Sequence, residues 1–72
     1  MNLTMGEKIK IVLKRKGVTL GQLAEMTNQS RQNLSNKFGR DNFSEKEIIE
    51  IAEALNCTYE AALVMNDTGD RV

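Results

Sequence analysis

Histidine, proline and tryptophan are absent from this chain, cysteine occurs once, and aromatic residues make up 4% of it. Without histidine, and with one thiol, neither an intrachain disulfide nor a zinc-binding spacing can be written. No metal or cofactor is expected, and Cys57 should pack as a small apolar residue. The shortage of aromatics leaves Leu, Ile, Val, Met and Ala to build the core, the mix of a small helical bundle. The absence of proline and the scarcity of alternating apolar and polar runs argue against sheet. No apolar run is long enough for a signal segment or a membrane span, so a cytoplasmic protein with no membrane partner is expected. No Gly-rich phosphate loop, nucleophile–base pair or internal repeat occurs, which argues against an enzyme and against a small-molecule substrate. The 72 residues leave room for one domain, near the size where a single core is only marginally sufficient.

Formal net charge is zero, which at first sight counts against a nucleic-acid partner. The distribution reverses that impression. Up to residue 40, Lys8, Lys10, Lys14, Arg15, Lys16, Arg31, Lys37 and Arg40 stand against Glu7 and Glu25, a balance of +6. From residue 41 on, Lys46 and Arg71 stand against Asp41, Glu45, Glu47, Glu50, Glu53, Glu60, Asp67 and Asp70, a balance of −6. The basic half can approach a phosphate backbone while the acidic half faces away. Attraction between the two halves within the fold is the plainer use of the same pattern.

The stretch from Thr19 to Phe38 reads as two short helices with a tight corner. Thr19 and Gln22 form a capping box for the first, whose buried stripe is Leu20, Leu23, Ala24 and Thr27. The corner falls at Asn28-Gln29, because Asn tolerates a left-handed backbone. Ser30 caps the second helix, Arg31 to Phe38, in which only Leu34 and Phe38 are large and apolar, an i, i+4 pair facing a core. At about 100° per residue, Gln32 and Asn36 then point away from the core, Asn33 and Ser35 lie on the flanks, and Arg31 is partly turned outward. These amides and the guanidinium have the fork geometry that pairs with adenine and guanine edges in a major groove. A polar face that merely meets water is the competing reading, although such a face is ordinarily built from better helix formers than Asn and Ser.

Gly17 to Ser35, GVTLGQLAEMTNQSRQNLS, together with Ile48 to Leu63, IIEIAEALNCTYEAAL, resembles the helix-turn-helix domain of the phage Cro/CI-repressor type. The resemblance implies an all-α, lambda-repressor-like DNA-binding domain, a compact bundle of five short helices acting as a transcriptional regulator, usually a dimer on a two-fold operator. It also implies a polar residue at the start of the second helix, where this chain has Leu20. Any contact there must come from Thr19, Gln22 or backbone N–H groups. The corner, frequently Gly, is Asn28.

The remaining chain supplies the other helices. Thr4 and Glu7 form a capping box for the first, with Met5, Ile9, Val12 and Leu13 buried and Gly17 ending it. Gly39 is expected to close the third helix, leaving Arg40-Asp41-Asn42 as a loop. Ser44 and Glu47 form a further box, with Phe43 and Ile48 as a hydrophobic staple and Ile48, Ile51, Ala52 and Leu55 as the buried face. Asn56 ends that helix. Thr58 is expected to cap a fifth, burying Tyr59, Ala62 and Leu63, with Tyr59, Ala61, Val64 and Met65 as the seam of a homodimer. Residues 1–66 are thus expected to form the domain, with 67–72 a short flexible tail.

The expected function is sequence-specific binding of double-stranded DNA by a small regulator, a repressor by preference. Arg31, Gln32, Asn33 and Asn36 are the expected base contacts. Thr19, Gln22, Ser35, Lys37 and Arg40 are the expected contacts to the DNA backbone. The alternative is a protein-interaction module of the same fold, such as an antirepressor, that leaves DNA alone.

Overall fold

Hydroxyls start the helices of this chain. The computed structural model describes residues 2–72, and among them four helices form: α1 (Met5–Lys16), α2 (Leu20–Met26), α3 (Arg31–Arg40) and α4 (Glu45–Ala54). Their N-caps are Thr4, Thr19, Ser30 and Ser44, each extended and each accepting a backbone N–H three residues on, at 3.0 to 3.2 Å. Thr4 with Glu7, and Thr19 with Gln22, complete reciprocal capping boxes. The Ser44 box closes differently from the sequence expectation. Glu47 Oε1 accepts from the Ser44 hydroxyl at 3.0 Å, and the other carboxylate oxygen turns to Lys37.

A left-handed residue closes each of the four helices or the turn that follows it. Gly17 (φ 68°) ends α1, Asn28 (φ 56°) makes the α2–α3 corner, and Asn56 (φ 56°) follows α4, all three as their types predict. The end of α3 is a correction. The helix runs through Gly39 and Arg40 and stops at Asp41 (φ 50°), whose N–H reaches Lys37 and Phe38 carbonyls. Asp41 also gives the physical reason: its Oδ1 accepts the Gly6 N–H at 2.7 Å, satisfying a free donor in the first turn of α1. That contact holds the helix end two residues beyond Phe38.

The core takes one or two residues from each helix, Ile9 and Leu13, Leu23 and Ala24, Leu34, then Ile51, and adds Leu55 from the residue that caps α4. Leu23 and Leu34 are wholly buried, which stabilises by roughly 1.5–3 kcal/mol each relative to exposure. Phe38 and Phe43 pack against this cluster and meet edge to face, centroids 5.2 Å apart.

The expected fifth helix does not form, so among the described residues the fold is all-α with four helices rather than five. From Cys57 to Ala62 the chain is irregular, and Val64 then bridges Arg71 in an antiparallel turn-back. Leu63 and Val72 exchange both backbone hydrogen bonds at 2.9 and 2.8 Å, and the Met65 N–H donates to Asp70 at 2.8 Å. The cause lies in what was read as a tail. Asn66 to Gly69 has turn composition, Gly69 supplies φ 79°, and the turn joins the apolar ends Leu63–Met65 and Val72. A helix of one or two turns, with little to bury, is too short to compete. Residues 60–72 are all exposed. The radius of gyration is 13.8 Å, against about 11 Å for a compact domain of this length, as expected of a hairpin standing off a helical body. No helix among the described residues is long and apolar enough to cross a membrane.

Candidate functional site

The α2–corner–α3 unit is fixed from below. Leu23 and Leu34 lock the two helices to the core, and the Gln29 N–H returns to the Ala24 carbonyl at 2.9 Å across the corner. With Leu34 inward, Arg31, Gln32, Asn33, Ser35, Asn36 and Arg40 are all exposed. The helical wheel therefore put the amide face where the structure has it.

That face is already hydrogen-bonded within itself. Gln32 Nε2 donates to Asn36 Oδ1 at 3.1 Å, and Asn33 Nδ2 donates to Gln29 Oε1 at 2.9 Å. In the first pair an acceptor, Gln32 Oε1, and a donor, Asn36 Nδ2, stay free. That combination matches the N6 donor and N7 acceptor of adenine. Arg31 sits at the other end of the face, and its Cδ lies 3.7 Å from where a Cβ on Gly21 would stand. A methyl group at position 21 would meet the arginine stem in ordinary van der Waals contact.

Gln29 was not foreseen. It is half-buried, donates from Nε2 to Thr27 Oγ1 at 2.8 Å and accepts from Asn33, so it sets the direction of the Asn33 amide. The signal was in the spacing, since Gln and Asn four apart are hydrogen-bonding neighbours on a helix.

At the start of α2, Thr19 Oγ1 accepts the Gln22 N–H at 3.1 Å and Gln22 Oε1 accepts the Thr19 N–H at 2.9 Å. Both acceptors are occupied, which leaves the Thr19 hydroxyl proton and the Gln22 amide protons facing solvent. These are donors, the polarity a phosphate requires.

Lys37 is the site residue that stands apart. It is half-buried, and its ammonium is paired with Glu47 Oε2 on α4. That oxygen is shielded from solvent and has only the ammonium against it. The lysine, and secondarily the Ser44 hydroxyl, hold the Glu47 carboxyl below its ordinary range. Asn33, Asn36, Lys37 and Arg40 share a polar cleft with Ser44 and Glu47. On α1, Lys10 lies 5.6 Å above the Phe38 ring, a cation–π contact that draws one α1 lysine to the end of α3.

Comparison with known proteins adds one match. Residues 8–67 fit the family model of the Cro/C1-type HTH DNA-binding domain, a span that begins in α1 and reaches the turn of the hairpin. Neither the curated proteins nor the solved structures give a match.

Proposed function

We propose, because the chain belongs to the Cro/C1-type helix-turn-helix DNA-binding family, that it is a small sequence-specific transcriptional regulator, a repressor, whose α3 enters the major groove of double-stranded DNA. One observation carries this reading: Gln32 and Asn36 are exposed and joined amide to amide on a helix whose Leu34 is wholly buried. Arg31, Gln32, Asn33 and Asn36 read base edges. Thr19, Gln22, Ser35 and Arg40 hold the backbone, with Lys37 available to it only if it leaves Glu47.

The operator is two-fold and the protein acts on it as a dimer. Without a fifth helix, the seam proposed at Tyr59, Ala61, Val64 and Met65 falls on the C-terminal segment and its hairpin, where Val64 and Met65 are 50% and 47% exposed. The unpaired outer edge of a short strand suits such association.

Selection of bound sequences from a random duplex pool tests the reading directly. A symmetric consensus whose binding falls steeply with salt supports it. Failure to bind any duplex, at low salt as well as moderate salt, would instead favour a protein-interaction module.

A further inference from the structure

We infer that Glu47 competes with the DNA backbone for Lys37, and so sets the salt-dependent baseline of DNA affinity without choosing bases. The inference rests on the reading of α3 as the groove-binding helix. Lys37 lies one position from Asn36, on the last turns of α3, where a cation would ordinarily meet phosphate. Its ammonium is turned instead to Glu47 Oε2, across the cleft between α3 and α4. Glu47 is itself held in place: its backbone N–H donates to Ser44 Oγ at 3.2 Å and its Oε1 accepts the Ser44 hydroxyl at 3.0 Å. The pair is partly shielded, with side chains 28% and 31% exposed, so salt screens it less than it screens a lysine–phosphate contact on the rim.

A carboxylate fixed by the cap of its own helix thus occupies the cation a phosphate would use. Contacts to phosphate carry no sequence information. Releasing Lys37 should therefore raise affinity for every duplex by one factor and leave discrimination as it was.

Glu47→Gln, Glu47→Asp, Lys37→Met and the double variant Lys37→Met/Glu47→Gln can be titrated against the selected duplex and a random duplex between about 50 and 200 mM salt. Glu47→Gln should bind both duplexes about 3- to 10-fold more tightly, with log K falling more steeply against log salt by about 0.9. Glu47→Asp keeps the charge but shortens the reach to Lys37, and should show a smaller gain of the same kind. In the Lys37→Met background, Glu47→Gln should add nothing. An equal gain in that background would mean that any lost carboxylate suffices, and would overturn the inference. So would an unchanged salt slope in both Glu47 variants while the wild-type protein binds DNA. Absence of wild-type binding at the lowest salt would remove the DNA-binding reading and this inference together.

Discussion

Asp41 Oδ1 accepts the backbone N–H of Gly6 at 2.7 Å, tying the residue that ends α3 to the first turn of α1. Two properties of Asp41 are in use, the acceptor and the tolerance of a left-handed backbone, and substitutions separate them. Asp41→Asn keeps both and should be nearly neutral. Asp41→Gly keeps the backbone but orphans the Gly6 donor, at a cost of about 1–2 kcal/mol. Gly6→Ala should destabilise by a similar amount, because its Cβ would stand 3.0 Å from Asp41 Oδ1 and 3.4 Å from the Phe38 ring. Urea denaturation of the three variants checks the order; Asp41→Asn falling below Asp41→Gly would contradict it.

Leu34 fixes α3 to the body and is wholly buried. Leu34→Ala should cost about 2–5 kcal/mol, a large share of the roughly 5–15 kcal/mol typical of a domain. Leu34→Met, which nearly conserves volume, should cost less than about 1.5 kcal/mol. Thermal unfolding followed by far-ultraviolet circular dichroism should show the first variant melting far below the second. Equal midpoints would mean that α3 is anchored elsewhere.

Gln32 and Asn36 share a hydrogen bond, so their contributions to recognition should not add. Gln32→Ala should cost about 1–3 kcal/mol on the selected site and relax choice at one base pair. The double change with Asn36→Ala should cost clearly less than the sum of the single changes. Additive losses would indicate that the two amides read separately.

Acid should weaken the fold from a definite point. Glu7, through the Thr4 backbone N–H and hydroxyl, and Glu47, through Lys37 and then Ser44, have carboxyls held below their ordinary value of 4.5. As pH falls, the unfolded chain takes up protons first. Stability from these groups is therefore complete above about pH 4.5 and is lost as pH drops through the lower folded values. Melting temperatures taken from about pH 6 down to pH 3 should decline below that point, and less steeply in Glu47→Gln. A decline equal to wild type in that variant would exclude Glu47 as a source.

The C-terminal hairpin contributes little to the helical body, since residues 60–72 are all exposed. Deleting residues 63–72 should shift the melting midpoint by less than about 4–8 °C, the equivalent of roughly 1 kcal/mol in a domain of this size. Mass measurement by light scattering on the same protein should show association weakened. Collapse of the helical signal on deletion would place the hairpin within the folding unit.

The parts of this molecule legible in its sequence are those governed by neighbours along the chain. Thr4, Thr19, Ser30 and Ser44 start helices where caps were read, Asn28 turns the corner, and Leu34 faces the core. What escaped depends on partners far apart or on competition between local structures. Gly39 looks like a helix stop until Asp41 is known to meet Gly6 across 35 positions. Lys37 looks like a free cation until α4 brings Glu47 beside it. Thr58 to Met65 has an apolar pattern compatible with a helix, but the turn at Asn66 to Gly69 offers that segment a strand-like partner in Val72.

Four amide side chains on and beside α3 are bound in two couples, Gln29 with Asn33 and Gln32 with Asn36. Much of their rotamer freedom is therefore surrendered before any target arrives, and less remains to be lost on contact. Under the proposed function, recognition by such a surface would resemble the meeting of two stiff plates more than four searching fingers. Changing the preferred target would then require exchanging residues in couples, since a lone exchange leaves its neighbour aimed at nothing.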